Sequence, residues 1–191
     1  MGKIYCIMGK SASGKDSLYR AILDARPKFK TYVMYTTRPP RDHETDGVSY
    51  HFCDQAVIDT FAAAGKLIES RTYQTVYGPW TYATVDDGQI DLDAGDYLMP
   101  GTLESYRKLK SYFGPEALVP VYIEVEDGER LIRAVRREME EPAPRYTEVC
   151  RRFIADAEDF SEEKLKEAGI VKRYQNDHFG TCLQKILADI R

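Results

Sequence analysis

The chain alternates between short apolar runs and longer segments whose apolar positions recur with the period of an α-helix. The apolar runs are rich in β-branched and aromatic side chains, which is typical of buried strands. The main strands predicted in this way span residues 3–8, 31–36, 96–99, 118–125 and 171–175. The main helices predicted span residues 15–25, 103–112, 128–141, 147–160 and 179–190. This alternation predicts an α/β fold with a parallel sheet flanked by helices.

A different pattern interrupts the alternation after the second strand. Short strand-like runs follow one another here, with one helix that Asp54 can cap and that runs to Ala64. The short strands predicted span residues 50–52, 67–69, 73–77 and 81–84. We therefore expect a small β lobe inserted into one domain. The core is predicted to comprise residues 1–32, 93–126 and 155–191, the inserted lobe 33–92 and a helical lid 127–154.

Composition narrows the classes of function. The 191 residues carry a net charge of −4, which gives no overall attraction to nucleic acid or to an anionic membrane. Any anion site must then be a local cluster of basic residues. The four cysteines are scattered and form no C-x-x-C pair, so no zinc site is expected. With no leader-like or membrane-length apolar run, we expect a cytoplasmic enzyme with reduced thiols, of undetermined oligomeric state.

A glycine-bounded loop joins the first predicted strand to the first predicted helix. It reads G-x-x-x-x-G-K from Gly9 to Lys15, the pattern whose backbone N–H groups surround phosphates at a helix N-terminus. Lys15 would supply a cation to the β- and γ-phosphates of ATP. Asp16 stands where such loops have Ser or Thr, and it could hold Mg²⁺ through water, with Ser17 as a partial substitute. The predicted ATP-binding residues of the loop are Gly9, Ser11, Ala12, Ser13, Gly14, Lys15, Asp16 and Ser17.

A stiff basic segment follows the second strand. Arg38 and Arg41 flank two prolines, and two guanidinium groups at this spacing can bind one phosphate together. The hydroxyl of Tyr50 could reach the same anion. The alternative is a solvated charged loop without a ligand.

Residues 36–52 of this segment resemble the signature of the guanylate kinase family, T-T-R-x-P-R followed by an acidic residue, a glycine and Y-x-F. The resemblance extends over nearly the whole chain, through Glu69, Tyr77-Gly78 and the Asn176-Asp177 pair after the last strand. It implies a P-loop kinase that uses ATP and Mg²⁺ to phosphorylate GMP, with small-molecule nucleotides as its partners.

The resemblance also implies roles for individual residues. Arg38, Arg41, Tyr50 and Tyr77 would bind the acceptor phosphate, and Arg38 would also contribute to catalysis. Glu69 would accept hydrogen bonds from N1–H and the 2-amino group of guanine, two adjacent donors that adenine does not present. Asn176 would contact the adenine of ATP.

The chain is an atypical member by this comparison. Met34 stands near the place of a serine that holds the guanine carbonyl, and Pro79 replaces a small hydroxyl residue. The strand ending at Met99 lacks the acidic residue expected to help organise magnesium, for which Asp96 or Asp16 could compensate.

Two arginine-rich helical segments meet at the prolines of residues 142–144, as in the lid of a nucleoside monophosphate kinase. Phosphoryl transfer spreads negative charge over oxygens that lid arginines neutralise. By similarity of spacing we predict that Arg137 and either Arg151 or Arg152 act in catalysis. Neighbouring glutamates offer these arginines purely structural partners instead.

Two alternatives to a GMP kinase stay open at this point. One is a P-loop kinase of another phosphorylated acceptor such as ribose bisphosphate, since phosphokinases of that class also carry an aspartate after the loop lysine. The other is a non-catalytic guanylate-kinase-like binding module, although such modules typically lose the loop glycines and lysine.

Overall fold

The computed structural model describes residues 2–75 and 78–190. In chain order, its strands are β1 (Ile4–Gly9), β2 (Tyr35–Thr36), β3 (His51–Phe52), β4 (Leu67–Thr75), β5 (Gly78–Val85), β6 (Tyr97–Pro100), β7 (Leu118–Glu124) and β8 (Arg173–Gln175). Its helices are α1 (Lys15–Ala25), α2 (Gln55–Ala63), α3 (Leu103–Phe113), α4 (Asp127–Met139), α5 (Tyr146–Asp159), α6 (Glu162–Glu167) and α7 (Phe179–Asp189).

The central layer is a parallel sheet of four strands in the order β6–β1–β7–β8. Helices cover both faces, so β1 is buried on each side and reads as an unbroken apolar run. One face packs Met8 and Met99 under α3, and the other packs Ile7 against Leu18 of α1 and Ile186 of α7. The prediction of an α/β fold with a parallel sheet is confirmed. All four carboxyl ends lie at one edge, where the phosphate loop begins.

A second sheet, in the order β3–β2–β5–β4, forms the predicted insert. Strand β2 pairs parallel with β3 and antiparallel with β5, and β5 pairs antiparallel with β4. Helix α2 closes this lobe by packing Ile58 against Ala83 and Val85. The boundaries of core, lobe and lid stay predictions. In the described ranges, no helix is long and apolar enough to cross a bilayer.

The predicted strand at residues 31–36 pairs only at Tyr35–Thr36. Before Tyr35, side chains make hydrogen bonds that a neighbouring strand would otherwise make. Gln89 accepts from Val33 N at 3.0 Å and donates to Val33 O, and the Tyr32 hydroxyl accepts from Val85 N at 2.8 Å. No local sequence pattern predicts partners that are so far apart in the chain. Val33 therefore has both backbone hydrogen bonds without a ladder partner, and residues 31–34 line a cavity.

Two further elements differ from the sequence prediction. Residues 67–69 and 73–77 were predicted as separate strands, but Leu67–Thr75 is one strand with a register shift after Leu67. The remainder of the second segment lies outside the described residues. Helix α6 (Glu162–Glu167) was not predicted; it is short, and Ser161 caps it by accepting from Lys164 N at 3.4 Å.

Candidate active site

The loop between β1 and α1 has the conformation that its residue types predict. Gly14 has φ +82°, and a Cβ there would lie 2.4 Å from Asn176 Nδ2, so only glycine fits without a shift. Ala12 is also left-handed, with φ +61°, which is uncommon for a residue with a side chain. Two left-handed residues in one loop turn the backbone sharply between β1 and α1, as a phosphate-binding loop requires.

Asn176 holds this loop from the neighbouring strand end. Its Nδ2 donates to Ser13 O at 2.7 Å, and its own carbonyl accepts from Arg133 Nη1 and Nη2, each at 3.2 Å. The side chain is buried against the loop. The structure therefore gives Asn176 a positioning function, and its predicted contact with adenine stays a prediction.

Arg130 is a site residue that sequence reasoning missed. Its side chain is 1% exposed, and Nη1 donates to Ser11 O at 2.9 Å while Nη2 donates to Asp127 at 2.8 Å. Asp156 of α5 accepts from Ser11 N at 2.7 Å and lies 3.4 Å from the same guanidinium. Helices α4 and α5 thus both hold the phosphate loop. Arg130 looked like one of many helix arginines because its partners are distant in sequence.

Lys15 ion-pairs with Asp16, with Nζ 2.6 Å from Oδ1. Asp16 is largely exposed in the first turn of α1, as is Ser17. In residues 2–75 and 78–190 no group of three or more His, Cys, Asp and Glu side chains could hold a metal. A lone exposed carboxylate fits Mg²⁺ that is bound mainly by water and by substrate phosphates.

Asp96 does not lie at the carboxyl edge of the parallel sheet, where the phosphate loop begins. It precedes β6 and accepts from Lys3 N at 2.7 Å, at the amino ends of the parallel strands. The suggestion that Asp96 compensates for the missing acidic residue is therefore wrong. The phosphate loop follows the carboxyl end of β1, on the opposite edge.

Arg38 is far more enclosed than a surface phosphate ligand. It is 4% exposed, lies against the rings of Tyr50 and Phe52, and donates through Nε to the Tyr82 hydroxyl at 3.2 Å. Its Nη2 donates to Glu44 at 2.7 Å. This guanidinium holds the pKa of Glu44 low, at about 2, together with the backbone N–H of Arg41. Glu44 therefore occupies donors that an acceptor phosphate would use.

The other predicted phosphate ligands surround Arg38. The side chain of Arg41 is exposed to solvent, while its backbone N donates to Glu44 at 2.9 Å. Tyr50 is half-buried beside Tyr82, and burial raises its pKa. Tyr77 lies outside the described residues. Tyr82 was missed, because a tyrosine in the middle of a strand has no sequence signal.

Glu69 lies in a cavity of about 250 Å³ between the inserted lobe and the core. Its carboxylate is 2% exposed and accepts from Thr84 Oγ1 at 3.1 Å, with Arg71 Nε 3.3 Å from its other oxygen. Residues that also line the cavity include Tyr32, Met34, Tyr50, Thr84 and Met99. A buried acid in a cavity with apolar walls can select a planar ring that presents two N–H donors. Thr84 and Arg71 were not predicted here.

Comparison with known proteins bears on this arrangement. The family model "Guanylate kinase" matches residues 1–87, which include the phosphate loop, the basic segment and Glu69. A guanylate kinase of Thiobacillus denitrificans is 30% identical over 193 residues, covering 100% of this chain and 86% of that protein. The chain belongs to the guanylate kinase family.

Other members of the guanylate kinase family agree with this assignment. A guanylate kinase of Chromobacterium violaceum is 28% identical, covering 90% of this chain and 86% of its own. The crystal structure of guanylate kinase from Anaplasma phagocytophilum superimposes with a TM-score of 0.66 at 17% identity, covering 98% of this chain and 84% of that chain. The latter supports the fold alone.

The lid arginines of this guanylate kinase family member differ in how they are held. Arg137 is exposed, and its side chain makes no ion pair or hydrogen bond within the described ranges. Arg151 and Arg152 both bind Glu148, whose pKa they lower to about 2. Arg137 is thus available to a ligand at once, whereas Arg151 and Arg152 would exchange a carboxylate for phosphate oxygens. Their catalytic roles stay predictions.

Proposed function

We propose that the protein transfers the terminal phosphate of ATP to GMP, giving ADP and GDP. The observation that carries the proposal is the buried carboxylate of Glu69 in a base-sized cavity, on the same side of the inserted sheet as Arg38. Membership of the guanylate kinase family and the intact loop from Gly9 to Lys15 support it.

At the ATP end, backbone N–H groups of the phosphate loop and the N-terminus of α1 would bind the β- and γ-phosphates. Lys15 would neutralise the charge that develops on the oxygen between them, exchanging Asp16 for the phosphate. Mg²⁺, which Asp16 would hold through water, would supply further charge neutralisation when bound.

At the acceptor end, the phosphate of GMP would compete with Glu44 for Arg38 and for the loop at Arg41. Tyr50, and Tyr77 by the family resemblance, would add hydroxyl donors. Because Arg38 is already fixed by Tyr82 and by two aromatic rings, it would require little reorganisation on binding.

The chemical step needs positioning more than acid–base catalysis. The attacking acceptor oxygen belongs to a phosphate that is already ionised near neutral pH, so no side chain has to remove a proton. The lid arginines, Arg137 with Arg151 or Arg152, would neutralise the equatorial oxygens of the transferred group. A cytoplasmic location is part of this proposal, since both nucleotide substrates are available there.

The acceptor is tested by steady-state kinetics with ATP and Mg²⁺ against GMP, dGMP, AMP, UMP, CMP and ribose bisphosphate. We expect the highest kcat/KM with a guanine nucleotide, because only guanine offers Glu69 two adjacent donors. A ribose bisphosphate carries no base and would leave the Glu69 cavity unused. Faster phosphorylation of ribose bisphosphate than of GMP would contradict the proposal.

A further inference from the structure

Arg71 of β4 lies among three groups that the proposed function uses. Glu69 comes two residues earlier on the same face of the strand, with Oε2 3.3 Å from Arg71 Nε. Tyr82 is its cross-strand partner on β5, and the Tyr82 hydroxyl accepts from Arg38 Nε at 3.2 Å. Arg71 therefore lies between the acid of the base cavity and the arginine of the phosphate site.

The carboxyl edge of the parallel sheet forms the third side of this arrangement. Arg71 Nη1 donates to Thr102 Oγ1 at 3.0 Å, and Thr102 follows the carboxyl end of β6, at the loop's edge of the sheet. Burial raises the pKa of the Cys6 thiol in β1 to about 12, and the charges of Lys15 and Arg71 both oppose that rise.

Two atoms at this place lack the hydrogen bonds that buried polar groups normally have. Arg71 Nε and Glu69 Oε2 are both buried, yet neither has a hydrogen-bond partner in the described ranges, although they are 3.3 Å apart. Buried donors and acceptors are nearly always paired in native proteins. A guanidinium also carries more N–H donors than Thr102 and Glu69 use. An acceptor nucleotide that enters the cleft would supply the hydrogen bonds that Arg71 and Glu69 lack.

We propose that Arg71 contacts the acceptor phosphate on the side opposite Arg38 and stabilises the phosphoryl group during transfer. The inference rests on the proposed function and deepens it. The bond between the γ-phosphorus and the bridging oxygen of ATP breaks, and a bond forms from an acceptor phosphate oxygen to that phosphorus. Arg71 exchanges no proton, and its fixed charge matches the negative charge that builds up on the oxygens.

This assignment bears on the missing acidic residue at the end of β6. The sequence has Pro100, Gly101 and Thr102 there, and the structure brings a guanidinium to the Thr102 hydroxyl. A cation at this strand end neutralises phosphate charge directly, whereas an acidic residue could do so only through a bound metal ion. The chain therefore has a distinct means of neutralising charge at this edge.

The test uses the full chain with Arg71→Met and Arg71→Lys, and measures kcat and the KM values for GMP and ATP. We expect Arg71→Met to lower kcat by about 100-fold, the range for one preorganised electrostatic group, with the ATP KM little changed. Arg71→Lys keeps the charge and should recover part of the loss, even if Arg71→Met folds poorly. Arg107→Met, which removes an exposed arginine of α3, is the matched control.

The same substitutions on a Glu69→Gln background separate contact from positioning. An arginine that touches the phosphoryl group should lower kcat by a similar factor in both backgrounds. An arginine that only orients Glu69 should lose its effect when that carboxylate is gone, and this result would overturn the inference, as would an unchanged kcat in Arg71→Met. A native chain that fails to phosphorylate GMP would refute the proposed function itself, and the Arg71 assignment with it.

Discussion

At the scale of single residues, the site depends on atoms that approach more closely than an ordinary side chain permits. Gly14 combines a left-handed backbone with the 2.4 Å approach of Asn176 Nδ2 to the place of a Cβ. Gly65, just after α2, also has a positive φ, of +68°, but nothing lies within 4 Å of its Cβ position. Alanine substitutions at the two glycines therefore distinguish the cost of backbone strain from the cost of steric overlap.

We predict that Gly14→Ala destabilises the protein more than Gly65→Ala does. Strain at positive φ should cost about 1 kcal/mol at either position, and displacement of Asn176 should add about 1–3 kcal/mol at Gly14 through its lost bond to Ser13. Urea unfolding measures both values, and the ATP KM should rise for Gly14→Ala alone. Equal destabilisation by the two substitutions would contradict the role given to Asn176.

At the scale of elements, the lid helices and the phosphate loop form one unit. Helix α4 contributes Arg130, helix α5 contributes Asp156, and both bind the backbone of Ser11. The Arg130 guanidinium also lies over the ring of Phe153, 4.8 Å from the ring centroid. A displacement of either helix would therefore be transmitted to the backbone at Ser11.

We predict that Arg130→Met lowers the free energy of unfolding by about 3 kcal/mol, because it leaves Asp156 partly buried without its cation. The ATP KM should rise more than the GMP KM, since the released loop belongs to the ATP end. The exposed pair of Arg107 with Glu167 supplies the control, for which less than about 1 kcal/mol is expected. Equal increases in both KM values would argue against a lid clamp specific to the loop.

At the scale of the whole molecule, the sequence predicted motifs made of neighbouring residues but missed contacts between residues that are far apart in the chain. The loop from Gly9 to Lys15 was predicted together with its strand and helix, because seven neighbouring residues carry the signal. Arg130 was missed because its partner at Ser11 is 119 residues away, and Arg71 because Thr102 is 31 residues away. Glu69 was named through a family resemblance, whereas its orientation by Thr84 needed the paired strands.

The central claim is that this fold binds a guanine nucleotide beside the phosphate loop and that Glu69 recognises the base. The most direct measurement is the ratio of kcat/KM for GMP to that for AMP, in the native protein and in Glu69→Gln. The native ratio should be about 100 or more, because a base without the two donors leaves a buried carboxylate unpaired. Glu69→Gln should lower the ratio at least tenfold, mainly by weakening GMP, while the exposed control Glu104→Gln leaves it unchanged. A native ratio near one, or a high ratio that survives Glu69→Gln, would contradict the account.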